Sequence, residues 1–538
     1  MTDLRADRTV VAVGTCGVLA IVLWAVLAPD AVARAGDAGL RWTIGTFGWF
    51  FVLAADAFLV LAVVIAAGRF GRIRLGADDD EPEFTTLAWI AMMFSAGMGI
   101  GLVFYAVAEP IQHYASPPPA SGALAGTGQA GSVAMQYTLF HWTLHPWAIY
   151  AVAGLALAYS TFRKGRGNRL SAAFRPLLGR RADGAAGKAI DLLAIFATVF
   201  GSATSLGLGA LQVSAGLGIV AGVPDTRTVE LIIIAALTAA FVVSAFSGLD
   251  RGVKWLSTIN ICMAMLLMAF VFVVGPTVYT LEVLPAAVGD YLNSLLVMST
   301  RTGAFSDPDW MGAWTLFYWA WWISWAPFVG TFIARISRGR TVRQFVVGVL
   351  LVPSGASAVW FSVMGGSALR TQATGTTDLI ADVRQGAEHA LFGLLDAMPL
   401  AAVTTTLAMV LVGLYFITSA DSASLVLASL SSGGALRPHR LLVVMWGVLM
   451  GAVAGALLLA GGLQALQQAT IVVALPFVIV MLILAASLVR EMAADPAAGA
   501  RPRRARPQGL GDAVRTVYPE PKGTDGPAHR SSARSAGS

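Results

Sequence analysis

Hydrophobic and polar positions alternate in long blocks along this chain. Apolar runs of about 20 residues, the length at which a helix crosses a bilayer, recur from near the N-terminus to about residue 489. Short polar segments separate them. The pattern predicts twelve helical spans, at approximately 9–28, 43–67, 86–107, 135–161, 189–221, 228–248, 255–281, 310–336, 342–369, 398–430, 440–462 and 465–489.

Composition and charge agree with this pattern. The 538 residues are 57% hydrophobic and 12% charged, whereas a soluble domain carries about 25% charged residues, so a soluble enzyme is excluded. Nineteen lysines and arginines lie in the even-numbered loops and six in the odd-numbered loops. By the positive-inside rule, this asymmetry predicts cytoplasmic termini. Cys16 and Cys262 lie within apolar runs and are expected to be small core residues.

The segment from about residue 490 has a different composition. It is basic and rich in Gly, Pro and Ser, and such a chain cannot bury a core. We expect a disordered cytoplasmic tail. Two roles remain open: ordinary positive-inside anchoring, or a regulatory arm that contacts anionic lipid or a cytoplasmic loop such as the acidic segment 78–81.

The third predicted span contains an unusual run of glycines, SAGMGIGLVFYAVAEP, at positions 95–110. Gly97, Gly99 and Gly101 alternate where a helix is expected, and each interior glycine costs roughly 1 kcal/mol relative to alanine. Close helix packing through small residues is one interpretation. The other is an unwound stretch with backbone groups that face a ligand or an ion, as in secondary transporters.

The fourth predicted span reads FHWTLHPWAIY near its centre. Trp142, Trp147 and Tyr150 fall within an arc of roughly 140° on a helix, and Pro146 is expected to kink the helix between them. Aromatic core packing is the simpler interpretation of this cluster.

The stretch 314–335 of the eighth predicted span holds five of the chain's 15 tryptophans. A helical stripe runs through Trp314, Tyr318, Trp321 and Trp325, and Trp322 lies one position off it. Packing alone explains most such stripes. Two aromatic clusters beside a glycine-broken helix instead predict a box of electron-rich ring faces, which suits a quaternary ammonium group held by cation–π attraction.

Small hydroxyl side chains supply a third element of the pattern. Thr198 and Ser202 are one turn apart in the fifth span, and Thr418 and Ser419 lie in the tenth. Hydroxyls of this kind either bond to carbonyls of their own helix or provide oxygen ligands for a hard cation. Ionisable residues in or near spans are further candidates: Asp56, Glu109, His141, His145 and Asp421.

Taken together, these segments resemble the betaine/choline/carnitine transporter family. The resemblance extends from the first span to about residue 490. It depends on GMGIG with a downstream AEP, on HWTLHPWAIY, on FYWAWWISWAPFVGTFIARISRGR and on FITSADSAS. The third of these matches is long and therefore the most specific.

The resemblance implies an all-α polytopic membrane protein with twelve transmembrane helices. Two peripheral helices (1–85 with the N-terminal tail) would precede a leucine-transporter-type 5+5 inverted repeat. Its first half would be 86–281 (helices 3–7) and its second half 310–489 (helices 8–12). A periplasmic or extracellular segment, 282–309, would connect them, and a cytoplasmic tail, 490–538, would follow. Members of the family are typically homotrimers in the cell membrane.

The resemblance also implies binding residues for substrate and sodium. The substrate site would consist of Met98, Gly99, Gly101, Trp142, Trp147, Tyr150, Trp321, Trp322 and Trp325. One sodium ion would bind carbonyls of Ser95, Met98 and Tyr415 and hydroxyls of Thr418 and Ser419. A second would use Thr198 and Ser202 with Phe328 nearby. Ser202 replaces a threonine of the sodium-coupled pattern and keeps the hydroxyl.

The expected function is therefore sodium-coupled import of a compatible solute by alternating access, without enzymatic activity and without a nucleic-acid partner. Choline-type members tend to carry aspartate at the position of Gly101, so the glycine favours a zwitterion such as glycine betaine. Carnitine, ectoine, choline and dimethylsulfoniopropionate remain open. Two alternatives are a sodium-independent exchanger of carnitine- or choline-type amines and a solute sensor that does not transport.

Overall fold

A computed structural model describes residues 6–97, 99–247, 250–304, 307–435 and 437–499, with side chains except at 94–97, 120, 246–247 and 250–255. These residues form helices joined by turns. Within them, extended pairing is limited to an isolated antiparallel bridge between Arg74 and Thr341. The prediction of an all-helical fold is therefore confirmed.

Helices α1 to α19 follow one another in chain order. The first ten are α1 (Arg8–Leu27), α2 (Pro29–Ala67), α3 (Thr86–Gly97), α4 (Ile100–Ala115), α5 (Gly128–Trp142), α6 (Leu144–Ala158), α7 (Arg175–Leu178), α8 (Ala185–Ala221), α9 (Arg227–Ser247) and α10 (Asp250–Val274). The others are α11 (Thr277–Ser299), α12 (Pro308–Met311), α13 (Phe317–Ile336), α14 (Val342–Ala373), α15 (Leu379–Gln385), α16 (Ala390–Asp396), α17 (Ala401–Ser431), α18 (Arg440–Ala493) and α19 (Pro496–Gly499).

Nine helices of the described ranges are long and apolar enough to cross a membrane: α1, α2, α8, α9, α10, α11, α14, α17 and α18. The α10–α11 boundary differs from the predicted span 255–281. The helix ends at Val274, and α11 starts after Pro276, where proline cannot donate a backbone hydrogen bond. The predicted connecting segment is thus mostly helical.

The last long helix, α18, contains the two predicted spans 440–462 and 465–489. Gly461 and Gly462 have non-helical backbone angles and separate its two halves. Gly462 has φ 64° and ψ −144°, a combination that glycine alone adopts without strain. This break lies at the end of the predicted span 440–462, where a glycine pair separates two apolar runs.

Burial separates central from peripheral helices. In the most apolar stretch of α8, 83% of residues are buried, against 22% in α1, α9 and α10 and 17% in α11. α8 packs against α4, α13, α17 and α18. Cys16 on α1 and Cys262 on α10 are exposed, so the expectation that they are core residues was wrong. Both lie on outward faces of peripheral helices.

Two helices that carry predicted site residues, α6 and α13, cross in close backbone contact. A Cβ atom built on Gly154 would lie 3.2 Å from the carbonyl oxygen of Gly330, and one built on Gly330 would lie 3.0 Å from the amide nitrogen of Gly154. Small residues permit such close approach of helices in membranes. The contact brings the aromatic side chains of α6 and α13 next to each other.

Candidate binding cavity

An internal cavity of about 150 Å³ lies among α4, α5, α6, α10, α13, α14 and α17. Its lining residues are Gly99, Gly101, Leu102, Trp142, Pro146, Trp147, Tyr150, Ser257, Asn260, Ile261, Trp321, Trp322, Trp325, Phe328, Val329, Phe332, Ser357, Tyr415, Thr418, Ser419 and Ser422. None of these described lining residues is Asp, Glu, Lys, Arg or His. The cavity therefore suits a small molecule that has a large apolar or cationic surface and no net charge.

A break between α3 and α4 forms one wall of the cavity. Gly99 has an extended backbone, with φ −161° and ψ −176°, and α4 begins at the next residue. The glycine run therefore interrupts the helix, as the second interpretation of the sequence predicted. Gly99 and Gly101 both line the cavity. Met98 lies outside the described residues, as does the side chain of Ser95.

A second break lies within the predicted fourth span, at Thr143. The backbone there has φ −117° and ψ −111°, which ends α5 at Trp142 and lets α6 begin at Leu144. The predicted kink at Pro146 is therefore displaced by three residues. The break separates Trp142 from Trp147 and allows both rings to line the same cavity.

The aromatic rings of the cavity pack in pairs around it. Trp321 and Trp322 are stacked, with centroids 4.8 Å apart and an interplanar angle of 11°. Trp142 meets Trp322 nearly edge-on at 5.0 Å. Tyr150 lies 5.4 Å from Trp147 and 6.3 Å from Trp322. All five side chains are at most 6% exposed, so they form a desolvated group of ring faces and edges.

Gly101 is required by the packing of these rings. A Cβ atom at this position would lie 2.4 Å from Cη2 of Trp321 and 3.2 Å from Cη2 of Trp142. The first distance is shorter than carbon atoms tolerate, so any side chain here would displace an indole. Gly101 thus allows α4 to approach the two tryptophans closely.

The cavity lining also includes polar side chains from α10 and α17. The Thr418 hydroxyl donates to the Leu414 carbonyl at 3.0 Å and accepts from Nδ2 of Asn260 at 3.1 Å. One lone pair of this oxygen remains for a ligand. Buried polar atoms without a partner in the chain also belong to lining residues: Oη of Tyr150, Oη of Tyr415, Oδ1 of Asn260 and Nε1 of Trp325.

The predicted second pair of hydroxyls, Thr198 and Ser202, does not line this cavity. Both side chains are buried, and neither hydroxyl has a hydrogen-bond partner in the chain. They flank Gly201, where a Cβ atom would lie 2.9 Å from Cβ of Ser324 on α13. Unpaired buried hydroxyls are uncommon, and oxygens of this kind fit the ligand preference of a hard cation.

Of the other predicted residues, Trp325, Phe328, Tyr415 and Ser419 line the cavity. Trp314 and Tyr318, which belong to the predicted stripe, do not. Trp314 lies against His113, with ring centroids 4.3 Å apart.

Sequence reasoning missed Asn260 as a cavity residue. It is 2% exposed and lies on α10. A single amide side chain within an otherwise apolar span is a recognisable signal, because polar groups in membrane helices need partners. The partner, Thr418, is 158 positions away and could not be identified from spacing.

Glu109, which the sequence indicated only as an ionisable candidate near a span, bonds to the cavity residue Trp142. Its side chain is fully buried. Oε1 lies 2.7 Å from Nδ1 of His141, and Oε2 accepts from Nε1 of Trp142 at 2.7 Å and from Oη of Tyr318 at 2.5 Å. The side chains of Glu109, His113 and His141 lie close enough together to hold a metal ion. However, the carboxylate oxygens of Glu109 already bond to His141, Trp142 and Tyr318.

The chain is similar to known transporters over nearly all of its helical part. A family model described as "BCCT, betaine/carnitine/choline family transporter" matches residues 9–497. The glycine betaine transporter OpuD of Bacillus subtilis is 45% identical over 88% of this chain and 92% of its own length. The betaine/ectoine transporter LcoP of Corynebacterium glutamicum is 39% identical over 91% and 79% of the two chains. The ectoine/hydroxyectoine transporter of Virgibacillus pantothenticus is 39% identical over 88% and 94%.

Proposed function

The chain belongs to the betaine/carnitine/choline transporter family, and we propose that it imports glycine betaine together with sodium by alternating access. The observation that carries this proposal is the cavity formed by Trp142, Trp147, Tyr150, Trp321 and Trp322. A quaternary ammonium group donates no hydrogen bonds and is attracted to aromatic ring faces. The chain is a transporter and not an enzyme, in agreement with the names of its relatives.

The charge of the cavity favours a zwitterion over a net cation. Its described lining includes no carboxylate, so a bound choline would lack a counter-ion, whereas glycine betaine carries its own. The carboxylate of the substrate would lie towards the broken backbone at Gly99, where freed amide groups can donate to it. Ectoine, which the names of two relatives include, is the nearest competing substrate.

Sodium coupling is supported by the two groups of hydroxyls. Thr418, Ser419 and Tyr415 line the cavity, and Thr418 keeps a lone pair for an ion. Thr198 and Ser202 are buried without partners, an arrangement that a bound sodium ion would satisfy. Sodium bound at these positions would favour the state that binds substrate, and its gradient would drive accumulation.

The arrangement of helices in the membrane is also part of the proposal. In this arrangement α1, α2, α8, α9, α10, α13, α14 and α17 each form one span. The pairs α3–α4 and α5–α6 each form one broken span, and α18 forms two, which gives twelve. α11 would lie along the membrane surface. Spans 3–7 (86–281) and 8–12 (310–489) would form the two inverted repeats after two peripheral helices. Both termini would be cytoplasmic, and the protein would be a trimer.

The decisive experiment is uptake of radiolabelled glycine betaine into proteoliposomes, with and without an inward sodium gradient. Wild type would be compared with Trp322→Leu and with Trp24→Leu, which alters an exposed tryptophan on α1. Loss of cation–π attraction in a desolvated site corresponds to a fall of about 30-fold in affinity. We expect uptake to require sodium, to collapse in Trp322→Leu and to be unchanged in Trp24→Leu.

The other outcomes separate the alternatives. Full exchange without sodium would replace symport by an exchange mechanism. Binding without transport of any quaternary amine, in protein shown to be folded, would indicate a sensor. Uptake that is equal in Trp322→Leu and wild type would overturn the assignment of the aromatic cavity.

A further inference from the structure

Glu109 lies on α4, eight residues beyond Gly101, and the proposed transport mechanism does not use it. It is a fully buried carboxyl group outside the cavity lining. Three donors from two other helices converge on it: Trp142 and His141 of α5 and Tyr318 of α13. A buried charge is costly unless it is hydrogen-bonded, and this one is bonded on both oxygens.

The chemistry of the donors indicates an ionised carboxylate. The indole N–H of Trp142 can only donate, so Oε2 acts as an acceptor. We assign the His141 tautomer in which Nδ1–H donates to Oε1; Nε2, which lies 3.0 Å from the Thr315 hydroxyl, then accepts a hydrogen bond from it. A neutral imidazole satisfies both contacts, and the carboxylate keeps its negative charge.

The same network holds both tryptophans that meet edge to face in the cavity. Trp142 is bonded directly to Glu109. Nε1 of Trp322 donates at 3.0 Å to the backbone carbonyl of His141, and Tyr318 is stacked on Trp322 with centroids 5.9 Å apart. Glu109 therefore bonds directly to Trp142 and is linked to Trp322 through His141 and Tyr318.

We propose that Glu109 is a positioning residue for the substrate cation: it fixes Trp142 and makes the indole face more negative. This inference rests on the proposed function. A hydrogen bond from the indole N–H to an anion shifts electron density towards the ring, and charges in a desolvated site are weakly screened. Both effects strengthen the attraction of the ring for a quaternary ammonium group.

The test compares two ligands of the same shape. Glycine betaine carries a positive nitrogen, whereas 3,3-dimethylbutanoate has a neutral carbon in its place. Binding of each to purified protein would be measured by tryptophan fluorescence, the neutral analogue by competition, for wild type and Glu109→Gln. Glutamine keeps the size of the side chain and removes the charge. We expect the ratio of the two affinities to fall about tenfold.

A merely structural role would give a different result, because both affinities would fall together and the ratio would stay constant. That outcome, or no change in either affinity, would overturn the proposal. Thr138→Val is a matched control: this buried α5 hydroxyl bonds only to its own helix, at Ala134, and its loss should leave the ratio unchanged.

A second variant covers the case in which Glu109→Gln does not fold. Benzothienylalanine in place of Trp142 keeps the ring shape and replaces the N–H by sulfur, so the ratio should fall in the same direction; an unchanged ratio would overturn the proposal. Wild-type protein that binds no betaine would refute the proposed function itself. Wild-type protein that binds betaine, with an unchanged ratio in the variants, would refute the role of Glu109 alone.

Discussion

Thr198, Ser202 and Thr204 lie within two turns of one another on α8, but their hydroxyls have different surroundings. The first two are buried without partners. Thr204 bonds to the Phe200 carbonyl at 3.0 Å and to the Thr470 hydroxyl at 2.6 Å. A buried unpaired hydroxyl costs free energy, so these two hydroxyls do not stabilise the fold unless a ligand binds to them.

We therefore expect Thr198→Val and Ser202→Ala to leave the melting temperature in sodium-free buffer unchanged or raised. The increase in melting temperature on adding sodium should shrink, since an ion that binds the folded state stabilises it in proportion to its affinity. The measurement is thermal unfolding of detergent-solubilised protein over a series of sodium concentrations.

Thr204→Val provides the control on the same helix. It should lower stability by about 1 kcal/mol, because the Thr470 hydroxyl loses one hydrogen-bond partner and keeps the Leu466 carbonyl at 2.9 Å, and should leave the sodium-dependent increase intact. If Thr198→Val and Ser202→Ala lowered stability in the same way and preserved the sodium effect, their hydroxyls would have only a packing role.

Gly101 gives a second prediction at the residue scale. In Gly101→Ala the new methyl group would overlap Cη2 of Trp321, and rings that are buried on all sides cannot move without cost. We expect glycine betaine affinity to fall at least about tenfold, with overpacking costing roughly 1–3 kcal/mol of stability. Isothermal titration and thermal unfolding would measure the two effects.

Gly355→Ala on α14 is the matched control, because its Cβ would meet nothing within 4 Å. There alanine should be neutral or stabilising by up to about 1 kcal/mol. Equal affinity in Gly101→Ala and wild type would show that the indoles are not held where the structure has them.

At the element scale, the sequence predicted one of the two helix breaks at its observed position and the other at a wrong one. The glycine run at 97–101 predicted the gap between α3 and α4, because glycine weakens a helix at its own position. The second break was predicted at Pro146 but lies three residues earlier, at Thr143. Proline is tolerated in the first turn of a helix, where its missing N–H is not needed, so α6 restarts at Leu144 before the proline instead of bending at it.

The glycine pair in α18 gives a prediction at the same scale. Gly462 has φ 64°, which an alanine adopts only with strain, whereas Gly461, with φ 174°, lies outside the left-handed region that favours glycine. Gly462→Ala should therefore destabilise the protein by roughly 1–3 kcal/mol, and Gly461→Ala clearly less. Thermal unfolding of both variants would decide; equal losses would mean that crowding rather than backbone conformation sets the cost.

At the scale of the whole molecule, the sequence predicted the helices and the aromatic residues better than the contacts between them. Apolar runs and the tryptophan stripe are local patterns; of the stripe, Trp321 and Trp325 line the cavity, whereas Trp314 and Tyr318 do not. The bond from Tyr318 to Glu109 spans 209 positions and that from Asn260 to Thr418 spans 158. Such partners depend on how helices pack, and a single sequence contains no periodic signal for them.

Asp495, just after the end of α18, takes part in contacts that connect three distant parts of the chain. Its carboxylate accepts from Nε and Nη2 of Arg163, both at 3.0 Å, and from Oη of Tyr159 at 2.5 Å. Arg163 in turn bonds to Asp78 at 2.5 Å and to the Gly76 carbonyl at 2.9 Å. The end of α6, the end of α18 and the segment before α3 are therefore joined by one arginine.

The pKa of Asp495 predicts how acid affects this junction. Burial alone would raise the pKa, but the hydrogen bonds from Arg163, Tyr159 and the Ala497 amide more than offset it and lower the pKa from 3.8 to about 2. Because the folded-state pKa lies below the unfolded value, the stabilisation is complete above about pH 4 and is lost as the pH falls towards 2. It amounts to roughly 2 kcal/mol.

Asp495→Asn should accordingly lower the melting temperature at pH 7, and its difference from wild type should disappear between pH 4 and pH 2.

Asp183→Asn is the control: this carboxylate also contacts two arginines, Arg169 and Arg175, at 2.7 Å, but its side chain is 38% exposed. Exposed pairs contribute about 0–1 kcal/mol, whereas removing one partner of a buried pair costs several kcal/mol. A difference between wild type and Asp495→Asn that stays constant down to pH 2 would mean that the charge of Asp495 does not hold the three segments together.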